Sequence, residues 1–368
     1  MTEVNARDAE LMRKALELAA QGAGLVSPNP LVGCVITDGN GDVVGEGFYR
    51  KDRVTHAEVI ALEQAGTRAR GGTAYVSLEP HDHHGQTCPC TDELIRAGIA
   101  RVVCSIEDPN PLVSGRGFQK LRDAGVEVVT GVLAEEAERQ NEKFICWHKK
   151  QRPFVHLKLA MSLDGRISLG PSVSTTLSGG EALKRVHELR HEHDAILVGG
   201  NTAAIDNPSL TDRSGLERRR PLARIVLDNS LQTPASSTLA TTTSEAPTLV
   251  FTNSEDAAKV ERLKAQGVDV VGTELGGRDL VGILDDLKAR EIQSVLVEGG
   301  TKIAGAFIDA RLVDKVTFIY SPIIIGGHTA PNAVGGKGAD VLDHALKVRD
   351  VTTTRHGEDI EITGYPTF

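Results

Sequence analysis

Apolar positions recur along this chain with two alternating periods. Residues 7–21 place Leu11, Met12, Ala15, Leu16, Leu18 and Ala19 at helical spacing, with Asp8 and Glu10 near the start and Gly22-Ala23-Gly24 at the end. Acidic groups in a first turn favour the helix dipole, so the run predicts a helix. Residues 31–37 and 43–47 read as two strands of a hairpin joined by Asp38-Gly39-Asn40-Gly41. A helix is predicted over 56–65 and a strand over 73–78, ending in Glu79-Pro80. Then come a helix over 91–97 closed by Gly98, a strand over 101–105, a helix over 117–124 closed by Gly125, and a strand over 126–130. Such alternation predicts an α/β layer domain.

Residues 134–150 read as one charged helix, and Gln151-Arg152-Pro153 breaks the pattern. The domain boundary is placed there, giving domains over 1–150 and 151–368. A second α/β series has strands over 154–160, 195–198, 224–227, 248–251, 268–271, 294–297 and 316–320. Residues 233–247, rich in Ser, Thr, Ala and Pro, read as a surface loop. No internal repeat relates the two halves.

Composition fits this organisation. A chain of 368 residues with 40% hydrophobic and 25% charged positions makes two globular domains, each able to bury a core. The net charge of -9 gives no support for gripping a nucleic-acid backbone, though a local basic pocket for one phosphate stays open. No run approaches the roughly 18 apolar residues of a membrane span. Residues 1–8 lack the basic-then-apolar pattern of a signal peptide. Five cysteines are few and odd in number, which fits a reducing cytoplasm and thiols used as metal ligands or core.

Two clusters carry chemistry. His56-Ala57-Glu58 opens a helix, and a histidine followed two residues later by a glutamate is the metal-ligand and proton-shuttle spacing of zinc deaminases. Zinc lowers the pKa of its bound water to about 7, and a nearby carboxylate must move the protons. Alone, the triplet also reads as a surface pair at a helix start. The second cluster is Leu78-Glu79-Pro80-His81-Asp82-His83-His84-Gly85-Gln86-Thr87-Cys88-Pro89-Cys90, followed by a helix whose dipole favours a thiolate at Cys90. Catalytic zinc takes three protein ligands. His56, one residue near position 81, and Cys90 would complete that set.

In the second half, no Gly-x-Gly-x-x-Gly follows the first strand, so a Rossmann fingerprint is absent. The glycines come later, where strand 294–297 runs into Glu298-Gly299-Gly300-Thr301-Lys302-Ile303-Ala304-Gly305 and a helix over 304–310. Such a turn can cradle a pyrophosphate on free backbone N–H groups, and it also occurs with no ligand.

These clusters resemble the bifunctional riboflavin-biosynthesis deaminase/reductase family of bacteria. The shared deaminase segments are Ser27-Pro28-Asn29-Pro30-Leu31-Val32-Gly33, His56-Ala57-Glu58, Leu78-Glu79-Pro80, and His83, Gly85, Thr87, Pro89 and Cys90. They continue through Asp108-Pro109-Asn110-Pro111, Gly115-Arg116-Gly117 and Asn141-Glu142-Lys143-Phe144. The reductase segments are 157–166, His187-Glu188-Leu189-Arg190, Val198-Gly199 with Thr202, and 206–211. They end with Glu298-Gly299-Gly300 and with Pro322 and Ile325-Gly326-Gly327. The resemblance implies a cytidine-deaminase-like three-layer domain followed by a dihydrofolate-reductase-like domain. It implies zinc-dependent removal of an amino group from 2,5-diamino-6-(5-phosphoribosylamino)pyrimidin-4-one, then reduction of the ribosyl chain to ribityl with NADPH. Zinc would be held by His56, His81 and Cys90, with Glu58 catalytic. Cofactor contacts would be Ala160, Thr202, Asp206 and Gly299, Gly300, Thr301, Lys302, Ile303, Ala304 and Gly305. Substrate contacts would be Asn29, His83, Ser174, Arg190, Leu210, Arg213 and Glu298, with Arg190 and Arg213 suited to clamp a phosphate. The partner is thus a small phosphorylated pyrimidine, not nucleic acid or membrane, and a homo-oligomer is left open.

The chain departs from that family twice. His81 stands where the family has a cysteine ligand, and Cys88 is the alternative donor. Thr176 stands where the family commonly has a tryptophan near the nicotinamide. Three rival readings follow: the same fold with one domain degenerate, a nucleic-acid-editing deaminase, and a ligand-binding regulator. The acidic charge opposes the second, and Glu58 beside three candidate ligands opposes the third.

Overall fold

The computed structural model describes residues 5–53, 55–82, 88–111 and 113–368. The chain divides into two units, Met1–Gln151 with Glu217–Arg219, and Arg152–Leu216 with Arg220–Phe368. In the first unit the elements run α1 (Ala6–Ala20), β1 (Gly33–Thr37), β2 (Val43–Phe48), α2 (Ala57–Ala65), β3 (Thr73–Leu78), α3 (Cys90–Ala97), β4 (Arg101–Ile106), α4 (Arg116–Asp123), β5 (Glu127–Thr130), α5 (Ala134–Gln140) and α6 (Glu142–Lys149). The sheet order is β2-β1-β3-β4-β5. Strands β1–β2 and β1–β3 pair antiparallel, while β3–β4 and β4–β5 pair parallel.

Side chains alternate across this sheet, so neighbours in sequence serve opposite layers. Cys34, Ile36, Ala74, Val76 and Val102 pack with Ala57, Ala61 and Ala65 of α2 and Leu94 of α3. Val35, Tyr75 and Val103 pack with Leu11, Met12 and Ala15 of α1 on the other face. The result is an α/β/α sandwich. Helix α2 lies almost on the strand backbone. A Cβ added at Gly45 would fall 2.0 Å from the Ala61 carbonyl oxygen, and one at Gly47 2.4 Å from that of Ala57. Only glycine permits this approach, and it fixes the helix that carries Glu58.

The second unit contains β6 (Phe154–Ser162), α7 (Gly180–His191), β7 (Ala195–Gly199), α8 (Gly200–Asp206), β8 (Ala223–Leu227), α9 (Thr238–Thr241), β9 (Thr248–Thr252), α10 (Ala257–Lys264), β10 (Asp269–Gly272), α11 (Leu280–Ala289), β11 (Ser294–Val297), α12 (Thr301–Asp309), β12 (Lys315–Ser321), β13 (Lys347–His356) and β14 (Asp359–Thr367). Nine strands form one sheet in the order β10-β9-β8-β7-β11-β6-β12-β14-β13. The first seven pair parallel, and β12–β14 and β13–β14 pair antiparallel. The central strands read as unbroken apolar runs because helices cover both faces.

Three segments differ from the sequence reading. The charged helix over 134–150 is two helices, because Asn141 leaves helical geometry at φ -101°, ψ 18° and turns its amide inward. The stretch 233–247 is no simple surface loop. It carries α9, with Leu239 and Ala240 buried. Fully buried Arg224 donates to the carbonyl oxygens of Leu239, Thr242 and Ala246 and to the Thr242 hydroxyl. The hairpin β13–β14 had no strand prediction, since β13 is exposed nearly throughout and lacks apolar alternation.

Asp8 does more than favour a helix dipole. It forms a capping box with Asn5, accepts two hydrogen bonds from Arg101 at 2.8 and 2.9 Å, and accepts one from the Tyr75 hydroxyl at 3.2 Å. The Arg101 guanidinium holds its carboxyl below the usual value against the opposing effect of burial. A lowered folded-state pKa stabilises above the unfolded value of about 3.9 and is lost as pH falls through the folded value. Asp8→Asn should therefore cost on the order of 2 kcal/mol at pH 7, with the gap from the parent chain narrowing below about pH 4. Urea unfolding followed by Trp147, the single tryptophan, measures both. An equal gap at pH 7 and pH 3 contradicts the assignment.

Candidate active sites

In the first unit, the end of β3 and the starts of α2 and α3 converge. His56 caps α2 in extended geometry, Glu58 occupies the first helical turn, and Cys90 is the first residue of α3. The Thr91 N–H donates to the His81 carbonyl at 3.3 Å, which ties the segment after β3 to the start of α3. One donor atom each from His56, His81 and Cys90 lies within 4.8 Å of the others. Bond lengths of about 2.0–2.3 Å in tetrahedral zinc place ligands roughly 3.3–3.8 Å apart, so this set needs only a small contraction. The His56 and His81 rings stack with centroids 4.3 Å apart. Cys88 is exposed and stands outside the cluster.

Glu58 is buried, and its Oε2 has no hydrogen-bond partner among the described residues. A buried carboxylate oxygen without a partner is costly unless something else meets it. Burial pushes the Cys90 thiol well up, and the Glu58 carboxylate pushes it further. A cation at this point reverses both penalties, so the residues present fit a zinc ion.

Neighbours fix these groups in place. Asn29 donates to the Tyr49 hydroxyl at 2.7 Å, and the Tyr49 ring lies 5.3 Å from that of His56. Asn141 clamps Leu31 through both halves of its amide, at 2.9 Å to the N–H and 3.0 Å to the carbonyl. Glu79 accepts from the N–H groups of Asp108, Gly115, Gly117 and Phe118, so the residue two before His81 caps the start of α4. Tyr49 was not singled out in the sequence; Glu79 and Asn141 were noted only as family motif positions. The charged residue inside Leu78-Glu79-Pro80, directly after a buried strand, was the available signal. His83 lies outside the described residues.

The second unit gathers its candidates at the carboxyl ends of parallel strands, where open α/β sheets bind ligands. Adjacent strands β7 and β11 lead into α8 and α12, whose caps Gly199 and Gly300 make no side-chain hydrogen bond and whose first turns hold no acid. The N–H groups of both helix starts are therefore free of side-chain caps. Thr202 and Asp206 lie on α8, and Thr301, Lys302, Ile303, Ala304 and Gly305 on α12 after Gly299. A Cβ at Gly305 would fall 2.3 Å from the Gly335 backbone, so α12 packs directly on that segment. Asp164 accepts from the Ile325 and Gly326 N–H groups at 3.0 and 2.8 Å, which fastens the Ile325-Gly326-Gly327 loop to the end of β6.

Next to these starts sits a buried charge cluster. Arg190 donates to both oxygens of Glu298 at 2.8 and 3.0 Å and to the Thr211 carbonyl at 3.3 Å. Lys158 Nζ is 3.8 Å from Glu298. Burial alone would raise the Glu298 carboxyl, but Arg190 and Lys158 hold it below the usual range. Burial lowers the Lys158 ammonium, which Glu298 only partly restores. The guanidinium of Arg190 is thus committed to Glu298, whereas Arg213 is exposed and, among the described residues, bonded to its own loop at Thr211 and Ser209. Leu210 is buried in the core beside α8. Ala160 packs against Ala182, Val186 and Ile319, and Ser174 and Thr176 are exposed between β6 and α7. Lys158 was not among the predicted site residues, although a lysine inside an apolar strand signals a buried charge.

Family models match both halves. The cytidine and deoxycytidylate deaminase zinc-binding region matches residues 5–106, and the RibD C-terminal domain matches residues 153–362. The riboflavin biosynthesis protein RibD of Actinobacillus pleuropneumoniae is 41% identical over 96% of this chain and 94% of its own length. That of Escherichia coli is 38% identical over 87% of this chain and 89% of its own. Among solved structures, RibD of Acinetobacter baumannii superposes with a TM-score of 0.87 at 31% identity, covering 98% of this chain and 99% of that one. A diaminohydroxyphosphoribosylaminopyrimidine deaminase/5-amino-6-(5-phosphoribosylamino)uracil reductase of Thermotoga maritima gives 0.85 at 35% identity, with the same coverage. The chain belongs to the bifunctional riboflavin-biosynthesis deaminase/reductase family. It is an enzyme with a hydrolase and an oxidoreductase activity, and its domains call for zinc and a nicotinamide cofactor. No helix among the described residues is long and apolar enough to cross a membrane.

The ligand geometry makes a direct prediction. His81→Ala should lose stoichiometric metal, while Cys88→Ser should retain it, as measured by elemental analysis of the purified full-length chain. Metal lost from the Cys88 variant and kept in the His81 variant would reverse the assignment.

Proposed function

We propose that this member of the family acts on 2,5-diamino-6-(5-phosphoribosylamino)pyrimidin-4-one with His56, His81 and Cys90 as zinc ligands and Glu58 as proton carrier. The unpartnered Glu58 oxygen beside three convergent donors is the observation that carries the reading. Bound zinc supplies a nucleophile from water at neutral pH. Glu58 accepts a proton as water adds to the ring carbon that bears the amino group. It passes the proton to the ring nitrogen and delivers one to the departing amine, so water enters and ammonia leaves. Asn29, anchored through Tyr49 and the Asn141–Leu31 clamp, positions the pyrimidine, and His83 is assigned a supporting contact.

We assign the second step to the buried cluster of the reductase unit, with NADPH as the hydride donor. The start of α12, which has no side-chain cap and no acid in its first turn, suits its pyrophosphate. Contacts from Ala160, Thr202, Asp206 and the turn from Gly299 to Gly305 are carried over from the resemblance. Reduction of ribosyl to ribityl opens the C1′–O4′ bond, with a hydride arriving at C1′ and a proton at O4′. Lys158 is the ionisable donor next to Glu298, and its burial-lowered pKa eases release of that proton. Glu298, held by Arg190, orients the ribosyl hydroxyls, with Leu210 and Ser174 as further contacts. Arg213 is left to meet the phosphate. The domains are taken as 1–150 and 151–368, and the compartment as the cytoplasm.

Glu58→Gln should keep its zinc and its reductase rate while deamination falls by about 10²–10⁴-fold. Assaying the two half-reactions separately, with metal analysis, checks this. A deamination rate within threefold of the parent chain contradicts the assigned role. Comparison of reductase kcat/KM with NADPH and NADH checks the cofactor, with NADPH expected to be favoured.

A further inference from the structure

The segment between α8 and β8 carries Leu210 and Arg213, yet residues 207–222 form no helix or strand. Its backbone is unusual as well as irregular. Leu210 has φ +48°, a left-handed conformation that a branched side chain rarely adopts. Burial of Leu210 anchors this point, but Arg213 lies three residues on and is exposed. A surface arginine makes a poor phosphate ligand unless its backbone is ordered before binding, because ordering it afterwards costs affinity.

The end of α7 supplies that order. Arg190 donates to the Thr211 carbonyl at 3.3 Å. The next residue, His191, meets Asp212 with Nδ1 and Oδ2 2.8 Å apart, and the two side chains are only 4% and 7% exposed. The other Asp212 oxygen accepts from the Ser214 N–H at 2.9 Å. Arg213 therefore directly follows two residues held from outside the loop, Thr211 through its carbonyl and Asp212 through its carboxylate. Its guanidinium is steadied by the Thr211 and Ser209 hydroxyls at 3.2 and 2.5 Å.

We propose that His191 and Asp212 form a positioning pair that holds the 209–213 loop so that Arg213 is presented to the substrate phosphate. The proposal rests on the reading that Arg213 binds phosphate. Consecutive helical residues project about 100° apart, so one helix end reaches two places at once. Arg190 holds Glu298 at the ribosyl chain, and His191 holds the loop at the phosphate. Helix α7 thereby sets the spacing between the two ends of the substrate. Neither His191 nor Asp212 touches substrate in this scheme.

The test uses the full-length chain with His191→Ala, His191→Gln, Asp212→Asn and Arg213→Gln. Reductase kinetics are measured with the phosphorylated substrate and with the same compound lacking its phosphate. The deaminase half-reaction of each preparation reports an intact chain, and thermal unfolding reports the second unit. His191→Ala and Asp212→Asn should raise KM for the phosphorylated substrate about tenfold, with kcat within about threefold and the dephosphorylated substrate unaffected. His191→Gln, which keeps a donor, should recover part of that loss. An equal loss on both substrates, or a fall in kcat with KM unchanged, overturns the pair as a positioning device. If Arg213→Gln loses phosphate discrimination while the His191 and Asp212 variants keep it, the pair fails and the phosphate reading stands. If all variants keep it, both fail.

Discussion

The close seating of helices on backbone without side chains is the constraint on which both sites depend. At Gly45 and Gly47, helix α2 rests on strand β2 at a distance no Cβ allows. That seating brings Glu58 into the core and aims His56 at the end of β3. At Gly305, helix α12 rests on the Gly335 backbone in the same manner, while the pairing of β11 with β7 puts its start beside that of α8. Protein interiors transmit such contacts because they are close-packed, so a side chain inserted beneath either helix would displace the reacting groups at its start.

The two sites treat buried charge in opposite ways. Glu58 is left with an unpartnered oxygen, and its neighbours are ligands for a cation rather than counter-charges of their own. The first site is thus complete only when metal and water are present. Glu298 is enclosed by Arg190 and Lys158, so the second site carries its own charge balance. A buried ion pair contributes little net stability, because desolvation offsets most of the attraction. In the proposed reaction, its retention keeps a cation and an anion buried where a ribosyl chain would be held and protonated.

Much of the first site was legible in the sequence, because ligand residues are conspicuous in composition and spacing. His56 and Glu58 stand at the start of one helix expected from the sequence, Cys90 directly before another, and His81 follows a strand that β-rich composition predicts. The less legible residues act through partners distant in sequence. Tyr49 acquires meaning only when Asn29 and His56 are placed against it, and Asn141 only when Leu31 reaches it across 110 positions. The second site was less legible. Lys158 sits in a strand whose apolar flanks read as ordinary core. Away from the site, the hairpin β13–β14 hides because Thr352, Thr353 and Thr354 of β13 offer no buried face.

In the proposed ligand set, an imidazole rather than a thiolate at position 81 acts on the site through charge. A cysteine there would bring a second thiolate, and the divalent ion with its ligands would then be neutral. Two imidazoles and one thiolate leave it with one net positive charge. Glu58 is the buried carboxylate beside the cluster, so that positive charge would face its unpartnered oxygen. As a ligand, the His81 imidazole would leave that charge in place of a softer thiolate donor that would bind zinc more tightly. On the proposed ligand set, metal occupancy is then the quantity on which activity of the first unit would turn, whereas the charges of the second unit are paired within the chain.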